Sequence, residues 1–168
     1  MKNILTLAAL ACFALSNTAN ATVRVVNNNN PSPGQYATLA AAQSAASAGD
    51  TLLITGSVYN YNSLTITKRL TLIGTGHNPS TPNPAPSKLD DIYFSGAAAN
   101  LFDINIIGLD INSINYNVAG THRQYVSRCK IRSFIYLGDS QDSILIDGNY
   151  FENPGYDFQT LASYDYNN

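Results

Sequence analysis

Leu109-Asp110-Ile111-Asn112 and Cys129-Lys130-Ile131-Arg132 are two copies of a pattern that returns every twenty residues in the second half of the chain. In both copies apolar residues alternate with polar ones, which is the period of a β-strand and not of a helix. The spacing extends to further sets of positions: Ile106, Val126 and Ile146; Gly108, Arg128 and Gly148; Ile111, Ile131 and Phe151; Tyr116, Tyr136 and Tyr156. A fixed period of this size is typical of a solenoid, in which each repeat buries its apolar face against its neighbours.

The bulk composition is consistent with one sheet-rich domain. Among 168 residues only 12% are charged, and tryptophan is absent. The net charge is −2, and the lysines and arginines are scattered along the chain. Because nucleic-acid binding depends on clustered positive charge, we expect no nucleic-acid partner and no attachment to an anionic membrane surface.

The first 21 residues have the features of a secretory signal peptide. Lys2 is the basic start, Ile4 to Leu15 is the apolar core, and Ala19-Asn20-Ala21 is a small-residue cleavage site. The apolar run is too short for a membrane span. We expect cleavage between Ala21 and Thr22 and a secreted or periplasmic protein. An uncleaved anchor is the alternative.

The sequence after the signal peptide predicts a single domain over residues 22–168. An alanine-rich helix is expected at Thr38–Ala48, where it can cap the N-terminal end, and a proline-rich surface loop at Thr75–Lys88. Following the repeat forward, the chain stops before the strand that would stack on Asn149–Asn153. Either Pro154–Asn168 folds over that end, or the domain is incomplete there and its open rung can associate with another chain.

Several segments carry a resemblance to a known family. The order of a helix, AGDTLLI, LTIT and LTLIGTG, followed by VSRCKIRS and ILIDGNYFEN, resembles the right-handed parallel β-helix proteins of the pectin-lyase-like superfamily. The resemblance implies an all-β, right-handed parallel β-helix with rungs of about 20 residues and a short N-terminal capping helix.

The resemblance is specific for fold and poor for function. Pectate lyases of this superfamily use calcium-holding aspartates and a basic residue, and polygalacturonases use closely spaced aspartates. This chain has neither pattern, so no catalytic residue can be carried over. Within a longer enzyme, the resemblance would imply a polysaccharide lyase or a glycoside hydrolase.

The repeat also predicts two outward columns of polar residues. One contains Asp110, Lys130 and Tyr150, and the other contains Asn112, Arg132 and Glu152. Because neighbouring strands lie about 4.8 Å apart, Asp110 should pair with Lys130, and Arg132 with Glu152. The first interpretation is structural ion pairing.

The second interpretation of these columns is a saccharide-binding face. Lys130 and Arg132 would bind uronate carboxylates, Tyr150 would stack on a sugar ring, and Asp110 and Glu152 would complete the face.

Other polar residues give weaker indications of a site. His122-Arg123 lies in a corner between rungs, and His77 has no second histidine near it for a metal site. Asp139 and Asp142 share a turn and could offer oxygen atoms to calcium, but two carboxylates make a poor calcium site. Turn formation is the interpretation we favour for both, so we expect no cofactor. The column of tyrosines at 116, 136 and 156 indicates a stacked ladder or a binding stripe.

The leading functional hypothesis is a secreted or periplasmic protein that binds an extracellular polysaccharide, with acidic polysaccharides among the candidates. It would be either a non-catalytic module or the N-terminal part of a longer carbohydrate-active enzyme. The alternatives are a structural or adhesive protein that associates through its C-terminal rung, and a fragment without independent activity.

Overall fold

The computed structural model describes residues 21–76, 85–138, 142–152 and 158–160. Short parallel strands dominate these ranges, with one α-helix and one 3-10 turn at Ala98–Asn100. The helix α1 spans Leu39–Ala45, and the Thr38 side chain caps it by accepting a hydrogen bond from the Ala41 amide. The strands are β1 (Val23–Val26), β2 (Thr51–Ile54), β3 (Leu64–Ile66), β4 (Thr71–Ile73), β5 (Lys88–Phe94), β6 (Asn105–Ile107), β7 (Asp110–Tyr116), β8 (His122–Ser127), β9 (Lys130–Leu137), β10 (Asp142–Asp147), β11 (Tyr150–Phe151) and β12 (Phe158–Thr160).

The strands form two separate six-stranded arrays. Sheet A has the order β1-β2-β4-β6-β8-β10, and sheet B has the order β11-β9-β7-β5-β3, with β12 also pairing with β9. Every pairing is parallel. β1 and β2 both belong to sheet A, and from β2 to β11 successive strands alternate between sheet A and sheet B. The two sheets therefore contain all the strands of the described residues.

The predicted all-β, right-handed parallel β-helix is wrong. The described strands form two parallel sheets that do not close into a solenoid, and their spacing is not uniform. Val23 pairs with Thr51, 28 residues away, and Thr71 pairs with Asn105, 34 residues away, whereas Asn105 pairs with Tyr125 at 20. The long connections before β2 and before β6 interrupt the repeat, so the twenty-residue register describes mainly the later strands.

The core contains apolar side chains from both sheets. Leu52, Leu72 and Ile106 of sheet A and Ile111 and Ile131 of sheet B are fully buried members of one cluster. Cys129 is also buried there as a free thiol, and burial raises its pKa to about 11. The inward alternation of the repeat therefore places its apolar residues in the core as expected.

Left-handed backbone conformations recur at the ends of the later strands. Their φ values lie between 50° and 66°, and they fall into two series with the twenty-residue spacing: Asp103, Arg123 and Ser143, and Gly108, Arg128 and Gly148. Such a conformation suits glycine, and the turn geometry imposes it on Arg128 as well. These turns direct the chain from one sheet to the other.

The outer faces of the two sheets are the accessible surfaces of the fold. All-parallel sheets usually have helices on both faces. Here α1, which packs against β1, β2 and β3, is the α-helix of the described ranges. On the outer side of sheet B, Tyr93 of β5 and Tyr150 of β11 are exposed.

Candidate functional site

The outward column predicted from the repeat exists on the outer face of sheet B. Asp110 on β7 is the Cα partner of Lys130 on β9, and Lys130 is the partner of Tyr150 on β11. Lys88 on β5 extends the column on the other side of Asp110. The structure therefore brings together Asp110, Lys130 and Tyr150, and their column starts one strand earlier than the repeat indicated.

The ion pairs on this face have different partners from those predicted. Arg132 Nε lies 2.8 Å from Asp110 Oδ1, and Lys130 Nζ lies 2.7 Å from Glu152 Oε1. Both pairs are diagonal, because each joins residues offset by two along neighbouring strands. The expected pairs Asp110–Lys130 and Arg132–Glu152 are wrong, although all four residues do meet on one face.

A register shift between β7 and β9 explains part of this change. Ile111 pairs with Ile131, but the next pair is Ser113 with Phe134, so β9 contains one extra residue. Such a β-bulge bends the strand and redirects its side chains. Arg132 lies at the bulge, where its guanidinium reaches over β7 and also donates to the Leu89 carbonyl on β5.

The tyrosine ladder predicted from the repeat is wrong for the same reason. After the bulge, Tyr116 is paired with Leu137, and Tyr136 is paired with Asn115. Tyr116 is fully buried and stacks on Phe94 with ring centroids 4.5 Å apart, whereas Tyr136 is half-buried on the outer side of β9. Tyr156 lies outside the described residues.

A hydrogen-bonded network centred on Asp91 was not apparent in the sequence. Asp91 Oδ1 accepts from Ser113 Oγ at 2.6 Å and from Asn112 Nδ2 at 2.9 Å. Asn115 Nδ2 donates to Ser113 Oγ at 2.8 Å, and Tyr93 Oη donates to Asp91 Oδ2 at 3.4 Å. This network joins the outward polar side chains of β5 and β7 into one fixed array.

The negative charge of Asp91 also affects the neighbouring phenol. Its Coulombic effect, with burial and the hydrogen bond, raises the pKa of Tyr93. Tyr93 therefore stays a neutral hydrogen-bonding phenol over a wide pH range. Tyr93 is 38% exposed.

Aromatic rings and amides alternate across the middle of this face. Tyr93, Asn115 and Tyr136 are successive Cα partners on β5, β7 and β9, and half-buried Phe134 pairs with Ser113 one row away. Tyr150 adds a ring that is 42% exposed at the β11 end. We call this set, with Asn112 and Asp91, the aromatic–amide face.

The charges around the aromatic–amide face largely compensate one another. Arg132 and Lys130 each retain only 21% side-chain exposure within their pairs with Asp110 and Glu152. An acidic ligand would have to compete with these carboxylates for both cations. The ionic residues therefore support the structural interpretation of the columns more than a direct role as carboxylate binders.

The remaining residues singled out in the sequence are dispersed. His122 and Arg123 lie beside Phe102 and Asp103, away from the aromatic–amide face. His77, Asp139 and the side chain of Asp142 are outside the described residues. Among the residues that are described, no group of three or more His, Cys, Asp and Glu side chains is arranged to hold a metal ion.

The cleavage site predicted after Ala21 lies at the start of the described chain. Ala21 is exposed, and the backbone N–H of Thr22 donates to the buried Asp50 carboxylate at 2.9 Å. Residues 1–20, with the apolar part of the signal peptide, are outside the described ranges. No helix among the described residues is long and apolar enough to cross a membrane.

Comparisons with known proteins give no relative for this chain: no family model, no curated protein and no solved structure matches it. The resemblance to pectin-lyase-like proteins thus stays an interpretation of the sequence, and the functional argument depends on the residues themselves.

Proposed function

We propose that this protein is exported and binds an extracellular polysaccharide on the aromatic–amide face of sheet B. The observation that carries the proposal is the row of Tyr93, Asn115 and Tyr136 on three adjacent parallel strands. Tyrosine rings offer an apolar surface on which the C–H face of a sugar ring can stack, together with a polar tip. Amide groups between the rings provide donors and acceptors for sugar hydroxyls.

The Asp91 network supports this proposal because it fixes the polar groups before a ligand arrives. Asn112, Ser113 and Asn115 are held by hydrogen bonds within 2.6–2.9 Å, so little side-chain freedom remains to be lost on binding. The diagonal ion pairs brace the neighbouring strands in the same way. In this arrangement Asp110, Lys130, Arg132 and Glu152 position the face, and the rings make the main contact.

The compensated charge favours a neutral polysaccharide over an acidic one. Retention that depends on stacking and neutral hydrogen bonds should respond little to salt. Binding of the carboxylates of an acidic polysaccharide by Lys130 and Arg132 should instead weaken as ionic strength rises. We expect the protein to be retained on a neutral polysaccharide, and we expect this retention to persist when salt is added.

Affinity electrophoresis in gels containing a neutral polysaccharide or polygalacturonate provides the test. Tyr93→Ala and Tyr136→Ala should each weaken retention about tenfold, since each removes a stacking ring. Tyr59→Ala is the matched control, because Tyr59 is 61% exposed but lies in the connection after β2. Equal retention of the parent, the two face variants and the control, or none by the parent, would reject the proposal.

The charged columns can be tested in the same gels. If Lys130→Ala together with Arg132→Ala abolishes retention on polygalacturonate while the tyrosine variants bind normally, the acidic-saccharide hypothesis replaces the neutral one. Export is tested separately: N-terminal sequencing of the exported protein should begin at Thr22, and an intact Met1 would contradict it.

Self-association is a second candidate function, and the edge of sheet A favours it. In the described part of the chain β10 pairs with β8 alone, and Leu145 on β10 is 59% exposed. An uncovered strand edge can pair with a second chain. Light scattering over a concentration series would show growing particles under this hypothesis, and Leu145→Lys should reduce them.

A further inference from the structure

A second polar cluster lies at the corner where the chain enters β4, β6 and β8, and it shares no residue with the aromatic–amide face. Phe102 is at its centre, with the His122 ring stacked on it at a centroid distance of 6.0 Å. The guanidinium carbons of Arg69 and Arg123 lie 5.2 and 5.6 Å from the Phe102 ring centroid. Cation–π contacts of this kind orient both cations around one ring.

Asp103 is the only carboxylate within ion-pair distance of these arginines among the described residues, and Arg123 occupies it. Arg123 Nε lies 2.7 Å from Oδ1 and Nη2 lies 3.0 Å from Oδ2, which is a bidentate pair. Arg69 Nη1 is 3.9 Å from Oδ2, too far for a hydrogen bond. Two guanidinium groups thus share one carboxylate, and the excess positive charge is on Arg69.

The Arg69 guanidinium also lacks a hydrogen-bond acceptor among the described residues, although it carries five N–H donors. Its side chain is 38% exposed. The group lies directly against Gly49, where an added Cβ would be 3.0 Å from Arg69 Nη2. Gly49 has a φ of +96°, a backbone conformation that favours glycine, and its missing side chain lets the guanidinium lie close to the backbone.

Arg69 lines an open cavity of about 220 Å³. Thr71 and Asp103 contribute the other polar side chains. Ala48 and Leu70 provide apolar walls that cleavage after Ala21, which also lines the cavity, would leave in place. Thr71 Oγ1 accepts a hydrogen bond from Asn105 Nδ2 at 3.2 Å, which leaves the hydroxyl proton available to donate into the cavity. The cavity therefore presents, at one place, a hydroxyl donor and a guanidinium whose N–H groups have no hydrogen-bond acceptor among the described residues.

We infer that the Arg69 cavity binds a compact oxyanion, such as a carboxylate, sulfate or phosphate group of a small ligand. The planar guanidinium matches two oxygens of such a group at once, and Thr71 can donate to one of these oxygens or, in a sulfate or phosphate group, to a third. Asp103 limits the affinity, because its negative charge faces the same cavity. This inference is independent of polysaccharide binding on sheet B.

Titration of the full-length protein, followed by the arginine Nε–Hε signals in NMR spectra, provides the test. Sodium acetate and sodium sulfate are compared with sodium chloride at equal ionic strength, so that planar and tetrahedral oxyanions are distinguished from general screening. Saturable shifts of the Arg69 signal with acetate or sulfate are expected. A response that follows ionic strength alone, equal for all three salts, would overturn the inference.

Three substitutions make the test specific. Arg69→Gln should weaken binding at least about tenfold, since a charge-assisted hydrogen bond is lost. Arg128→Gln is the matched control: Arg128 is exposed, has no side-chain partner among the described residues, and lies outside the cavity. Equal losses in Arg69→Gln and Arg128→Gln would show nonspecific attraction and would contradict a built site.

Asp103→Asn should change the oxyanion affinity in the opposite direction to Arg69→Gln. Asparagine tolerates the left-handed backbone at position 103, where φ is +50°, so the corner should keep its shape. Removing the carboxylate leaves both arginines uncompensated, and oxyanion affinity should rise about threefold or more. Unchanged or weaker binding in Asp103→Asn, with a normal thermal unfolding curve, would also overturn the inference.

Discussion

The N-terminal end of the molecule and the later, regular strands differ in where their charged side chains lie: buried in the first and on the surface in the second. Around β1 and α1, a single carboxylate, Asp50, is 1% exposed and accepts hydrogen bonds from the Thr22 and Ser47 amides and from Arg24, each at 2.9 Å. On β7, on β9 and directly after β11, charges lie on the outer face of sheet B in diagonal pairs that solvent still reaches.

The difference shows where each region needs polar groups. At the N-terminal end, the N–H groups of Thr22 and Ser47 lie outside the strand ladders, and the buried Asp50 carboxylate accepts hydrogen bonds from both. In the regular strands the ladder hydrogen bonds already satisfy the backbone, so the charged residues can remain on the surface. Removing a charge should therefore lower the free energy of unfolding strongly in the first region and only slightly in the second.

Asp50→Asn is expected to have the largest effect, a loss of about 3–5 kcal/mol in the free energy of unfolding. The substitution leaves Arg24 without its charged partner and turns an amide nitrogen towards backbone donors. Urea unfolding provides the measurement, with Asp147→Asn as the control, because Asp147 is exposed on β10. If both variants lost equally little free energy of unfolding, the proposed difference between the two regions would be contradicted.

The same residue predicts a pH dependence. Burial raises the pKa of Asp50, but the hydrogen bonds from Thr22, Ser47 and Arg24 outweigh it, so the pKa lies below its ordinary value. A depressed folded-state pKa contributes stability that is present above the unfolded value of about 3.9 and is lost as the pH falls through the folded value. The difference between the parent and Asp50→Asn should therefore shrink in acid.

Ile131→Ala tests the core of the regular strands and should cost about 2–5 kcal/mol. Ile131 is fully buried between its partners Ile111 and Phe151, so truncation leaves a cavity. Lys130→Ala, one position away on the outer side, should cost less than about 1 kcal/mol. Thermal unfolding that ranked the two substitutions the other way would show that the faces of β9 are reversed.

The regular strands were also the easier region to predict. Alternation and spacing placed Ile111, Ile131 and Cys129 inside and Asp110 and Lys130 outside. The bulge in β9 was missed, although the sequence carries a signal for it. The inward isoleucines of β7 are three residues apart, at 111 and 114, whereas those of β9 are four apart, at 131 and 135.

The architecture and the N-terminal cluster were harder to predict. A repeat in one half of the chain does not determine the lengths of the connections in the other half, so uniform closed rungs were a wrong extrapolation. Asp50 meets Arg24 and Thr22 across 26 and 28 residues without any periodic relation. Likewise, the Asp91 network depends on side-chain orientation across β5 and β7, which spacing alone does not provide.

The smallest expected effect tests the diagonal pairing itself. A double-mutant cycle between Asp110 and Arg132 should give a coupling free energy of about 0.5–1 kcal/mol, towards the upper end for surface pairs because both side chains are largely covered. The matched cycle between Asp110 and Lys130 should give a value near zero, although these residues are direct Cα partners, since Lys130 is paired with Glu152. Both cycles use alanine substitutions and urea unfolding at low salt, where surface pairs are least screened. The result distinguishes two physical causes: if backbone register decided the pairing, the Asp110–Lys130 coupling would be the larger, whereas the bulge at Arg132 predicts the reverse. A larger Asp110–Lys130 value would mean that the bulge does not redirect Arg132 in solution, and the compensated charge on which the neutral-polysaccharide proposal depends would have to be reconsidered.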